Sequence, residues 1–234
     1  MLQDAVLITG AGQRIGFYLA EAFLQRTTHP VVFTYRTYRP SVQALLDQGA
    51  MGFQVDFTDD LAVQVFLQDF LEQVSSCRAV IHNASIWARE SQLFEQPHLW
   101  QDMMAVHVRA PYLINQACEP LLKAGSHLPS DIIHITDAKL NEGQADQVAY
   151  LASKAALHSM TLSFAKALAP AIKVNEIQPG LVIFNENDDE NYRQKRLAEM
   201  SIPTEPGAET IWQMVQTLMA LPNTTGSAFR LSND

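Results

Sequence analysis

Short apolar runs, many of them β-branched, alternate along the chain with longer segments whose apolar positions recur every three to four residues. Ala5-Val6-Leu7-Ile8-Thr9 has no polar face and reads as a strand covered on both sides. Just beyond it, Ile15, Leu19, Ala22 and Phe23 share one face of a helix predicted over Arg14–Arg26. The same alternation predicts strands at 31–35, 51–55, 79–82, 130–136 and 173–178, with a last short one at 228–231. Helices are predicted at 41–48, 61–74, 99–123, 148–169 and 208–220. Pro40 opens the second helix, and Pro111 predicts a kink or break in the long 99–123 segment. Residues 184–206 are polar and acidic, without apolar periodicity, and predict an irregular lid.

Strands alternating with helices require a parallel sheet with helices on both faces. Right-handed crossovers then give an α/β, doubly wound arrangement. No repeat or linker divides the chain, so residues 1–234 are expected to form one domain.

Composition narrows the function classes. With 47% hydrophobic and 18% charged residues, the chain can bury a large core and is not a disordered sequence. No stretch approaches the ~20 apolar residues a bilayer requires, so no membrane association is expected. Sixteen Lys and Arg against 25 Asp and Glu give a net charge of −9, which disfavours nucleic acid as a partner. A small anion can still be held by a local basic spot. Cys77 and Cys118 lack metal-ligand spacing, so no metal is expected, and they read as reduced thiols. The N-terminus lacks the features of a signal peptide, and the expected compartment is the cytoplasm.

The chemistry concentrates at strand ends. The first strand runs into Thr9-Gly10-Ala11-Gly12-Gln13-Arg14-Ile15-Gly16 and a helix, a context in which free backbone N–H groups and the helix dipole hold a phosphate. Arg14 can reach a pyrophosphate or an anionic substrate edge, or be a solvated helix-start residue. The second strand ends Tyr35-Arg36-Thr37-Tyr38-Arg39, with no acid before Asp47. A carboxylate there would select a ribose 2′-hydroxyl; guanidinium and hydroxyl donors instead suit a 2′-phosphate, hence NADPH. Asp56, after the third strand, can serve as an N-cap. Tyr150 and Lys154, four residues apart, share one helix face, where an ammonium group favours the phenolate and makes a usable proton donor. Asp137 ends the preceding strand, where a carboxylate can cap a turn.

Together, T-G-x-x-x-R-x-G, Asn83-Ala84-Ser85, Tyr150-x-x-x-Lys154 and Pro179-Gly180 resemble the short-chain dehydrogenase/reductase family over residues 5 to about 231. Arg14 and Asp137 stand where that family usually has glycine and serine. Both departures, with Ser85 and Trp87, resemble its pteridine-reductase branch. The resemblance implies a Rossmann-type fold and NADPH as cofactor. It implies a cofactor site built from Gly10, Arg14 and Ile15, from Tyr35, Arg36 and Thr37, and from Phe57 and Asp56, the latter facing the adenine instead of capping a helix. Asn83, Ala84, Ser85, Thr136, Tyr150, Lys154, Pro179, Gly180 and Leu181 complete it.

The same resemblance implies NADPH-dependent reduction of a dihydropterin, 7,8-dihydromonapterin or dihydrofolate. Hydride goes to C6 and a proton to N5. Asp137, Tyr150 and Lys154 are the implied catalytic residues. Arg14, Ser85, Trp87, Asp137 and Tyr150 are implied to hold the pterin, with Trp87 either over its flat ring or in plain packing. His107 stands at the family's asparagine position and either replaces it in a water relay or is a satisfied core histidine. The family's C-terminal D-G-G is absent. A homotetramer through the helices at 99–123 and 148–169 is implied. Two other readings stay open: reduction of another small ketone, and dinucleotide sensing without catalysis.

Overall fold

The computed structural model describes residues 1–232; Asn233 and Asp234, the last two of the expected domain, lie outside the described residues. Strands β1 (Ala5–Ile8), β2 (Val31–Tyr35) and β3 (Met51–Gln54) alternate with helices α1 (Arg14–Arg26), α2 (Pro40–Asp47) and α3 (Asp60–Gln73). After β4 (Cys77–His82) come α4 (Glu90–Glu95), α5 (His98–Met104), a π-helical turn (Ala105–Arg109) and α6 (Ala110–Lys123). Next are β5 (Ser130–Ile135), a 3₁₀ turn (Ala138–Asn141), α7 (Val148–Leu168) and β6 (Ile172–Pro179). The chain finishes with α8 (Glu190–Ala198), α9 (Ala208–Ala220) and β7 (Ala228–Leu231).

The strands form one parallel sheet in the order β3-β2-β1-β4-β5-β6-β7. The period-two alternation of a strand divides the core between its faces. Ala5 and Leu7 pack with α3, α6 and α7 through Phe66, Ile114 and Phe164. Val6 and Ile8 pack with α1, α2 and α9 through Leu19, Val42 and Ile211. The chain reverses direction across the sheet between β1 and β4, and their carboxyl ends flank the crevice where ligands bind in such sheets.

Two expectations need correction. The 184–206 segment is not irregular throughout: it contains α8, capped by the Asp189 side chain accepting from the Tyr192 N–H. Neither α8 nor α4 buries a residue, so neither shows an apolar period in the sequence. The interruption of the long helix also falls earlier than Pro111. That proline has no N–H to donate back along the helix, and the turn ahead of it widens, with the Ala110 N–H bonding to the Ala105 carbonyl.

At the amino ends of the central strands, a buried ionic group ties the sheet to α9. Arg78 on β4 bonds Asp131 on β5 at 2.5 Å, and Lys173 on β6 lies 3.0 Å from the same carboxylate. Lys173 also donates to the Leu218 and Leu221 carbonyls, and Arg78 to that of Met219, so both cations meet the negative end of the α9 dipole. Burial pushes the Asp131 carboxyl up, and the two cations pull it back. Asp131→Ala leaves two buried cations without their counter-charge. The expected loss is about 3–5 kcal/mol in urea unfolding, with Asp131→Asn losing less.

Candidate functional site

The turn after β1 is shaped by backbone that ordinary side chains avoid. Gly10 lies at φ +67°, and a Cβ there would stand 2.6 Å from the Ala84 Cα. Gly16 is closed by proximity alone: its Cβ would fall 2.4 Å from the Asn83 amide nitrogen. Arg14 itself sits at φ +55°, a left-handed conformation costing a non-glycine residue roughly 1 kcal/mol. Its guanidinium donates to the Asn185 side chain and, at 3.0 Å, to the Ile183 carbonyl. Arg14 thus joins the glycine turn to the beginning of the 184–206 segment.

Two adjoining clefts open over the carboxyl ends of the strands and share Gly10, Gln13, Ser85 and Ile86. The first runs over β2 and is lined by Tyr35, Arg36, Thr37, Arg39, Asp56, Phe57 and Ala84. Arg36 and Arg39 are exposed there, and among the described residues neither is ion-paired. Two uncompensated guanidiniums at the edge of a cleft, with the Thr37 hydroxyl between them, match a phosphate dianion. The uncapped start of α1 presents its N–H groups to the same space. The residues present therefore fit NADPH. Asp56 is not the helix cap: Asp59 caps α3, and Asp56 accepts from the Thr58 N–H and hydroxyl in the preceding turn.

The second cleft gathers Arg14, Ile15, Asn83, Trp87, Thr136, Asp137, Tyr150, Lys154, Pro179 and Gly180. Trp87 is 48% exposed at the mouth, not packed in the core. Asn83 contributes indirectly, since its amide donates to the Thr9 and Gly10 carbonyls and holds the turn. Leu181 lies in an outer annex that shares Trp87, Tyr150 and Tyr192 with the main cleft. The motifs passed over Gln13 and Ile86, which line both clefts mainly through their place in the turns; no residue-type signal marks them.

Asp137 combines the two roles left open for it. One carboxylate oxygen caps the 3₁₀ turn, accepting from the Lys139 N–H at 2.8 Å; the other accepts the Tyr150 hydroxyl at 3.2 Å. Burial first, and the Asp137 charge second, push the Tyr150 phenol well above its ordinary range. The expected lowering of this phenol by Lys154 is therefore corrected. The lysine Nζ lies 5.8 Å from the Tyr150 ring centroid and donates to the Ile135 carbonyl at 2.9 Å. Burial brings Lys154 itself down to about 8, against the opposing pull of Asp137 and Glu176. The arrangement stores a proton on a desolvated phenol beside a carboxylate, both lining the second cleft.

Residues 4–195 match the family described as short chain dehydrogenase. The dihydromonapterin reductase of Klebsiella pneumoniae subsp. pneumoniae is 44% identical over 224 residues, covering 96% of this chain and 93% of that protein. The Escherichia coli K12 protein of the same name is 42% identical over 226 residues, covering 97% and 94%. Among solved structures, FolM alternative dihydrofolate reductase 1 from Brucella canis, complexed with NADP, superposes with a TM-score of 0.86 at 23% identity, covering 100% and 94%. A 4-hydroxyisoleucine dehydrogenase complexed with NADH gives 0.89 at 20% identity, covering 99% and 98%. The two structural likenesses bear on the fold; the family match and the curated relatives, which extend over nearly the whole chain, place this protein in the short-chain dehydrogenase family.

Proposed function

We propose that this enzyme reduces a 7,8-dihydropterin with NADPH, 7,8-dihydromonapterin being the favoured substrate and dihydrofolate a secondary one. The observation that carries the reading is the Tyr150–Asp137 hydrogen bond at 3.2 Å on the floor of the cleft, a protonated phenol where a nitrogen must gain a proton. The similarity to curated dihydromonapterin reductases over nearly the full chain supports the substrate class.

The bound dinucleotide supplies a hydride, and the protein supplies position and a proton. Addition of hydride to C6 breaks the C6=N5 double bond and moves its electron pair onto N5. Tyr150 delivers its proton to N5 as that nitrogen becomes basic. A phenol with a raised pKa holds its proton until that moment, so premature loss to solvent is avoided. Asp137 orients the hydroxyl and meets the pterin edge. Lys154 holds the nicotinamide ribose. Arg14, Ser85 and Trp87 set the pterin plane, and the 184–206 segment, tied to Arg14, covers the cleft and excludes water.

The buried free thiols Cys77 and Cys118 suit a reducing compartment, the cytoplasm, and no helix among the described residues is long and apolar enough to cross a membrane. Tyr112 on α6 and Val148 and Leu162 on α7 are exposed apolar residues, which supports assembly through those helices into a homotetramer. Sedimentation equilibrium is expected to give four times the 26.1 kDa chain mass; a monomer would refute it.

Steady-state kinetics with 7,8-dihydromonapterin test the reaction directly, with NADPH expected to outperform NADH. Replacing Arg36 and Arg39 together by alanine removes two charge-assisted contacts. The NADPH KM should then rise by about 30-fold or more, with the NADH KM nearly unchanged. Equal effects on both cofactors would refute the 2′-phosphate assignment.

Two substitutions separate proton delivery from folding. Tyr150→Phe should lower kcat by roughly 100-fold or more while NADPH affinity, read by fluorescence titration, stays within about threefold. Lys154→Met should abolish most turnover yet raise thermal stability at pH 7. The folded-state pKa of about 8 lies below the ordinary lysine value of 10.5, so the folded protein binds fewer protons than the unfolded chain between those limits. Stability therefore rises with pH across that window. Below it the full cost of burying the charge is present, and Lys154→Met removes that cost.

A further inference from the structure

His107 has no task in the chemistry above. It lies in the π-helical turn, 1% exposed, with its ring edge-on to Tyr150 at a centroid separation of 5.7 Å. Both ring nitrogens are engaged, and their partners determine which one carries the proton. Ser153 Oγ lies 2.8 Å from Nδ1 and donates its own hydrogen to the Tyr150 carbonyl at 2.6 Å, so it accepts from an Nδ1–H. On the other side of the ring, the Ile86 backbone N–H donates to Nε2 at 3.2 Å. A backbone amide only donates, so Nε2 is bare. Burial, reinforced by the Lys154 charge, holds the imidazole well below its ordinary pKa and keeps it neutral. Ser85 Oγ lies 2.9 Å from the same Nε2. A hydroxyl can bond an unprotonated nitrogen only by donating to it.

We propose that His107, as its Nδ1–H tautomer, fixes the polarity of Ser85: the hydroxyl hydrogen is turned inward and only lone pairs face the cleft. His107 is then a positioning residue, and Ser85 reads an N–H donor on the bound heterocycle, not a carbonyl or a bare ring nitrogen. This rests on the dihydropterin reading of the cleft. A 7,8-dihydropterin offers such donors at ring positions 3 and 8 and at its exocyclic amine.

Asparagine and glutamine each imitate one nitrogen of the ring. His107→Asn can keep the donor to Ser153 but has nothing at the Nε2 position; His107→Gln reaches that position with a carbonyl that accepts from Ser85. Both lose the ring contact with Tyr150 equally. His107→Asn should raise the KM for 7,8-dihydromonapterin by about tenfold, whereas His107→Gln should stay within about threefold. NADPH affinity should be unchanged in both. In a Ser85→Ala background, His107→Asn should add less than about a twofold effect, because it acts only through the missing hydroxyl. Equal losses in the two His107 variants, or losses that multiply with Ser85→Ala, would overturn the proposal.

A readout without turnover is the long-range ¹⁵N–¹H spectrum of the histidine-labelled wild-type enzyme. It should show His107 protonated at Nδ1 and bare at Nε2, and a protonated Nε2 would overturn the assignment. If that spectrum appears as expected and the wild type reduces no dihydropterin, the substrate reading fails and the polarity of Ser85 stands.

Discussion

Four hydrogen bonds, each 3.1 Å long, tie the end of β1 to the end of β4: the Asn83 and Ala84 N–H groups donate to the Thr9 hydroxyl, and the Asn83 amide donates to the Thr9 and Gly10 carbonyls. These strands are where the sheet order reverses, and without a tie the turns beyond them would be free to separate. The clamp explains the close approaches in the glycine turn. Gly10 presses on Ala84, and Gly16 on the Asn83 amide, because the two turns are drawn together. The positions of Gly10, Arg14, Ser85 and Trp87 around one cleft all depend on this junction. A sheet buried on both faces supplies the rigidity that makes such a junction precise.

The two ends of the sheet handle buried charge in opposite ways. At the amino ends, Arg78, Asp131 and Lys173 compensate one another and the carbonyls of α9, so the charges remain in place and fasten a helix. At the carboxyl ends, Tyr150, Lys154 and His107 are desolvated without full compensation: the phenol is driven up and the two bases down. The first arrangement serves the fold; the second gives up stability to hold a proton on Tyr150 and to keep His107 neutral beside it. Lys154 shows the tension most clearly, since it is fully buried and its one hydrogen bond among those described is to the Ile135 carbonyl.

The features legible in the sequence came from strong periods and local turn chemistry. Both α1 and α9 have the predicted bounds, because each carries an apolar stripe of three or four turns. Glycines at fixed spacing imply a close turn, and a Tyr–Lys pair four apart implies a shared helix face; the remaining cleft residues are named only through the resemblance to the family. The helices α4 and α8 were missed because they bury nothing, and pattern reading detects helices by the residues they bury. The pKa of Tyr150 was misjudged for a different reason. Spacing along a helix says that Lys154 is near the phenol, but not that the phenol is buried or that Asp137 from another element lies against it, and these two raise it. Burial and long-range hydrogen bonds of this kind leave no trace in local sequence.

His107 shows how a legible feature can have an illegible consequence. Pro111 is visible as a helix disruptor, and the turn before it is the one that widens, whereas Pro120 inside α6 leaves its own turn regular. The disturbance takes the form of a π-helical turn, closed by the Ala110 N–H on the Ala105 carbonyl. His107 lies inside that turn and reaches Ser85 on the β4 loop and Ser153 on α7 at once. The ring that meets the Ser85 hydroxyl thus stands in the widened turn, four residues before Pro111. The chain departs from the ordinary helical pattern at the place where a buried ring must span two elements, consistent with the general association of widened turns with functional sites.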